Sequence, residues 1–153
     1  MKEKELTSAS GYLFIVLGLS SWVFGGIAAG AHAGLLAGIL FFAGVILFIG
    51  LTVINPNEAA VATFFGEYVG TMKQNGLRWV NPLYRRRKIS LRARNLNGQK
   101  LKVNDKMGNP IEIAAVVVWF VKDTAQAVFE VDDYQKFVEI QSEAAVRKLA
   151  GSY

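Results

Sequence analysis

Apolar and polar positions follow three successive patterns along this chain. From Leu6 to Asn57 there is no Lys, Arg, Asp or Glu, a run of 52 residues that contains the single histidine, His32. One membrane crossing takes about 20 apolar residues. The run therefore predicts two helices, Ala9 to Ala31 and Leu35 to Ile54, with a turn near residues 32–34 and a short polar tail, 1–8, ahead of them. Asn55-Pro56 closes the second helix, because proline lacks an N–H and restricts the residue before it.

Beyond Asn57 the period changes to two. Glu58 to Tyr68 alternates and is rich in Val, Thr and Phe, which predicts a strand, with Gly66 marking a bulge or a close backbone approach. Gly70 to Gly76 reads as a turn and Gly76 to Val80 as a short strand ended by Asn81-Pro82. Arg85 to Arg94 alternates loosely. Gln99 to Asn104 and the β-prone run Ile111 to Val121 flank a turn at 105–110, so the two are expected to form a hairpin.

After Lys122 the period becomes helical. Asp123 is placed to cap a short helix to Phe129, and Asp132 or Asp133 to cap a longer one to about Ala150, with Gly151 as its stop. Tyr134, Phe137, Val138, Ala144, Ala145 and Leu149 fall on one helical stripe. Packing on the sheet is the simpler use of such a stripe. A subunit interface formed by Tyr134, Phe137, Val138, Ala145 and Leu149 is the sharper one. The expected class is α+β: a transmembrane helical hairpin, then a small antiparallel sheet with packed helices.

Charge orients the hairpin. Lys2 and Lys4 precede the first helix, no cation lies in the turn, and Arg78 and Arg85-Arg86-Arg87-Lys88 follow the second. The positive-inside rule then puts both ends in the cytoplasm, as a multi-pass protein of the plasma or inner membrane. A cleaved signal peptide competes with this reading, but its apolar region is about 7–15 residues and this one is longer. A hairpin that re-enters one leaflet fits the same pattern.

Two glycine series run through the apolar region. Gly11, Gly18 and Gly25 are seven apart, and Gly26, Gly30, Gly34 and Gly38 are four apart. Small residues at these spacings let helices approach closely in lipid, although glycine is also simply common there.

The inventory offers little chemistry. Cysteine is absent and His32 is the single histidine. No nucleotide-binding, metalloprotease or hydrolase motif occurs. No catalytic residue, cofactor or metal site is expected, and no nucleic-acid partner, since no recognition helix or stacking pattern accompanies the basic residues. The run Arg85, Arg86, Arg87 and Lys88 is the strongest local feature. It reads either as a patch for anionic headgroups or as a charged edge strand that blocks sheet pairing.

The chain beyond the second helix resembles the band 7, or SPFH, family of stomatin, prohibitin, flotillin and the HflK/HflC pair. The resemblance rests on Asn55-Pro56-Asn57-Glu58-Ala59-Ala60-Val61, Phe65-Gly66-Glu67-Tyr68, Gly76-Leu77-Arg78-Trp79-Val80-Asn81-Pro82, Val103 to Pro110, Trp119 to Asp123, and Ala125 to Val131 leading into the Tyr134 helix. It covers nearly all of 55–153, taken as the SPFH domain and as incomplete at its C-terminus. It implies a non-enzymatic scaffold that forms homo-oligomers, organises membrane microdomains and modulates partners such as FtsH-type proteases or channels. An accessory subunit of one transporter or protease complex is the alternative.

Overall fold

The computed structural model describes residues 2–152, which form two compact units, one of residues 4–90 and the other of residues 2–3 with 91–152. Each is described by itself.

The first unit is built around a strand that holds both ends of a helical hairpin. Strand β1 (Ala9–Ser10) leads into helix α1 (Gly11–Gly30), and helix α2 (Gly34–Ile49) returns into strand β2 (Leu51–Ile54). After these come β3 (Glu58–Phe64), β4 (Glu67–Met72), β5 (Gly76–Trp79) and β6 (Arg85–Ser90). In the sheet β1-β5-β2, Arg78 of β5 lies opposite Ser10 on one side and Thr52 on the other. Both ends of the hairpin are therefore fixed to one strand.

The helices turn at His32, which takes a left-handed conformation (φ 60°), while Ala33 N–H donates to Ala28 O at 2.9 Å. Between the helices Ser21 Oγ donates to Leu40 O at 2.6 Å and Trp22 Nε1 to Phe41 O at 3.3 Å. Such bonds hold apolar helices together where lipid supplies no hydrophobic drive.

The second helix ends earlier than the apolar run predicts. Residues 51–54, expected within it, form β2, because Thr52, Val53 and Ile54 are β-branched and pair with β5. Ile54 is fully buried, in a core with Ala60, Ala62, Met72 and Val80. At 1.5 Å per residue, α1 is about 30 Å long and α2 about 24 Å. Among the described residues, α1 is the one helix long and apolar enough to cross a membrane alone.

The expected Glu58–Tyr68 strand is two strands. Phe65 and Gly66 form a tight turn between β3 and β4 with φ of 45° and 93°, so Gly66 serves the turn, and the bulge falls at Ala62/Thr63. The region expected to turn from Gly70 instead continues β4 to Met72. Strand β3 is central, between β4 and β6. The N-terminal tail also joins this sheet: Leu6 N–H donates to Thr71 O at 3.0 Å and Thr71 N–H to Lys4 O at 2.8 Å.

The second unit holds β7 (Arg94–Asn97), β8 (Leu101–Asn104), β9 (Pro110–Ile113), β10 (Val116–Trp119), α3 (Thr124–Phe129) and α4 (Tyr134–Ser152). The expected hairpin forms from β8 and β9, with Leu101 opposite Ile113. The long run Ile111–Val121, however, breaks at Ala114-Ala115, and its second half pairs with β7. Asp123 caps α3, accepting from Gln126 N at 3.0 Å. Asp133, rather than Asp132, caps α4 by accepting from the N–H groups of Gln135 and Lys136 at 3.0 and 3.2 Å. Helix α4 runs through Gly151 to Ser152.

Candidate membrane-proximal site

Where the hairpin meets the sheets, four side chains fix the junction. Trp79, the last residue of β5, stacks on Phe14 of α1 with ring centroids 4.1 Å apart and planes within 5°. Its indole Nε1–H donates to Leu47 O of α2 at 2.9 Å. One ring thus binds both helices, apolar on its face and polar at its edge. Arg86 occupies the C-terminus of α2. Its Nη2 donates to Ile49 O at 3.1 Å, and its Nη1 reaches Gly50 O and Leu51 O at 3.4 Å and bonds Thr52 Oγ1. A helix C-terminus carries unsatisfied carbonyls and partial negative charge, and the guanidinium answers both.

The basic run is therefore divided by strand alternation. Arg86 is turned inward onto the helix end and is not part of a free basic patch. Arg85 and Arg87 lie on the opposite face, exposed, and their side chains make no hydrogen bond or ion pair to another described residue. Lys88 is exposed beside Glu58, at 3.9 Å. Two unpaired cations, with Lys88 held loosely, face solvent here.

The glycine series separate as well. A Cβ on Gly18 would meet Phe48 at 3.0 Å, one on Gly25 would meet Phe41 at 3.3 Å, and one on Gly11 would meet Leu77 at 2.6 Å. The seven-residue series is thus a seam inside the hairpin and against β5. Gly26, Gly30, Gly34 and Gly38 face open space. Gly44 and Gly50, outside both series, are the tightest positions: Gly44 lies against Trp22, and Gly50 against Trp79 and Val80 O.

In the second unit, α4 turns a different face to its surroundings from the stripe expected. Tyr134, Val138, Ser142, Val146 and Ala150 are the more buried positions, one turn apart, whereas Phe137 and Leu149 are 49% and 62% exposed and Ala144 and Ala145 are exposed too. Of the five interface candidates, Phe137, Ala145 and Leu149 are thus open, while Tyr134 and Val138 are engaged locally. Tyr134 packs edge-on to Trp119 at 6.0 Å, and the Arg94 guanidinium lies 5.8 and 5.9 Å from the two rings.

The turn between β8 and β9 is fixed by Asp105. Its Oδ1 accepts from the N–H groups of Asn109 and Met107, each at 2.8 Å. These bonds, that from the Asn109 backbone foremost, hold the carboxyl below its ordinary pKa. Among the described residues no group of three or more His, Asp or Glu is placed to hold a metal ion.

Trp79 and Thr52 were invisible as junction residues from sequence. Their signal is a tryptophan and a threonine in two strands whose pairing is the unread fact.

One apolar helix of membrane-crossing length, ahead of a small antiparallel α+β domain, suggests a membrane-associated class of protein. A family model described as SPFH domain / Band 7 family matches residues 52–153, and the chain belongs to that family. The match begins within β2, at the foot of the hairpin. No curated protein matches the chain.

Proposed function

We propose that the protein is a membrane-anchored, non-enzymatic scaffold. In this reading the hairpin passes into the bilayer, both its ends lie on the cytoplasmic side, and the SPFH domain is held against the inner leaflet. The observation that carries it is the attachment of β1 and β2 to the two edges of β5, which returns the chain to the side it left. Apolar side chains cover the outside of both helices, including Val16, Val23, Ile39 and Phe42, as lipid contact requires. Helix α2 falls short of the roughly 30 Å hydrocarbon core, a mismatch that local thinning of the bilayer accommodates. Arg85 and Arg87 add attraction to anionic lipid, and the open face of α4 with Phe137 and Leu149 offers a contact between copies.

The native mass after mild detergent extraction tests the scaffold. A particle of many copies is expected, and exchange of Phe137 and Leu149 for Glu is expected to reduce it. A one-to-one complex with a single co-purifying membrane protein would replace this reading with that of an accessory subunit.

A further inference from the structure

We infer that the β3–β4 turn is a wedge that enters the headgroup region of the bilayer, with Phe65 as its apolar point and Leu83 beside it. This rests on the membrane reading above and assigns a contact outside both the hairpin and the basic run.

The backbone supplies the first reason. Phe65 and Gly66 both have positive φ, at 45° and 93°. Two-residue turns of this kind favour Asn-Gly, because a residue with a bulky side chain is strained in the left-handed region. An aromatic residue here costs the fold something, and inside the chain it recovers little. Phe65 touches Phe64 edge-on at 4.6 Å, yet it is 87% exposed. Phe64, by contrast, is half-buried against Tyr84 at 5.6 Å, and the residue before Tyr84, Leu83, is 64% exposed. Two large apolar side chains thus stand out from an aromatic base.

Direction supplies the second. Strand β2 leaves the end of α2, and the chain reverses at residues 55–57, where Glu58 N–H donates to Asn55 O at 3.1 Å. Strand β3 therefore runs back toward the hairpin. Its Ala62 lies opposite Arg86, whose guanidinium bonds the α2 carbonyls. Phe65 is three residues further on, about 10 Å at strand rise, so the turn projects to the helix side of that level.

Charge supplies the third. Arg85, opposite Thr63, is exposed beside the turn, and Arg87, opposite Val61, is exposed further along the same strand. Apolar points flanked by unpaired cations suit the boundary between headgroups and acyl chains. Two protruding side chains are also too small a surface for a stable protein interface, which buries on the order of 1,000 Å² or more. The occupant is therefore lipid.

Because the chain has no cysteine, single reporters are clean. Phe65→Cys, Leu83→Cys and, as a helix control, Leu17→Cys are each labelled with an environment-sensitive fluorophore. The full chain is reconstituted in vesicles of phosphatidylcholine and phosphatidylglycerol. The expected result is blue-shifted emission at 65 and 83, quenched by lipids carrying a shallow nitroxide and less by a deep one. Emission at 83 matching the free conjugate in buffer overturns the wedge even if the Phe65 variant does not fold, and aqueous emission at 65 does the same. If Leu17 reports lipid in that case, the membrane reading stands and only the wedge fails. If Leu17 also reports water, both fail. Phe65→Asn, which suits the turn, should keep the thermal midpoint or raise it while reducing quenching at the Leu83 label. Unchanged quenching there would show that Phe65 does not hold the turn in lipid.

Discussion

Trp79 lies flat on Phe14, one at the end of a strand and the other in the first turn of a helix that begins at Gly11. The same indole bonds the carbonyl of Leu47 in the second helix. The two contacts make separable demands. Trp79→Phe keeps a ring for Phe14 but loses the N–H, so it should cost about 1 kcal/mol. Trp79→Ala loses both, and should cost about 3 kcal/mol or more. Thermal midpoints of the full chain in one detergent would rank them, and equal losses would mean that the ring's stacking on Phe14 contributes nothing beyond the hydrogen bond.

The neighbouring arginines are expected to behave oppositely. Arg86→Gln strips donors from the α2 terminus and should destabilise the fold by about 1–3 kcal/mol. Arg85→Gln and Arg87→Gln should leave the midpoint nearly unchanged. Each should instead weaken attraction to anionic lipid by about 1 kcal/mol. Binding of a fluorescent phosphatidylglycerol to the detergent-solubilised protein, alongside thermal melts, separates the two classes. A destabilising Arg85 variant would refute the division.

Glycines in the hairpin differ in what a methyl group would meet. At Gly50 a Cβ would lie 2.6 Å from Val80 O, a backbone atom that cannot step aside, and against the Trp79 ring. Gly50→Ala is expected to lose about 1–3 kcal/mol by overpacking. Gly38 faces open space, so Gly38→Ala should be neutral or stabilise by up to about 1 kcal/mol through helix propensity. Denaturation midpoints of the two variants test the contrast.

Asp105 gives the turn at 105–110 a pH dependence of known sign. Its folded pKa is depressed, chiefly by the Asn109 backbone N–H. Its contribution is therefore present above the ordinary carboxylate value and is lost as pH falls through the lower folded value. NMR of the side-chain carboxyl should show a titration midpoint below that of an exposed aspartate. Protection of the Met107 and Asn109 amides, taken as the ratio of intrinsic to observed hydrogen-exchange rate at each pH, should fall as Asp105 protonates. A midpoint at or above the ordinary value would remove the argument.

Local chemistry was legible in the sequence and long-range pairing was not. The apolar run located both helices, proline and asparagine located the turns, and Asp123 capped the helix expected of it. Residues 51–54 read as helix because Leu, Thr, Val and Ile are as apolar as the span before them. Only β5, some 25 residues later, makes them a strand. The basic run was legible as a cluster but not as two faces, since the period-two alternation of Arg85 to Lys88 means little until Arg86 is known to sit by the end of α2. Phe65 went unread for the same kind of reason. The sequence Phe-Phe-Gly-Glu shows a strand-like aromatic pair, and that Phe65 belongs with Gly66 in the turn is decided by the register of β3 on β4, which sets Phe64 opposite Glu67. In α4 the spacing suggested one stripe, yet the helix presents Val138, Ser142 and Val146 inward, a choice made by the strands it meets.

The attachment of β1 and β2 to opposite edges of β5 has a mechanical consequence. A domain joined to its anchor through a loose linker would swivel freely above the lipid. Here two backbone ladders and the Trp79 ring clamp the helices to the sheet, so the helical pair acts as a keyed shaft. In the membrane-anchored scaffold proposed above, any tilt of the shaft, whether from leaflet thickness or curvature, would be delivered to the sheet as rotation.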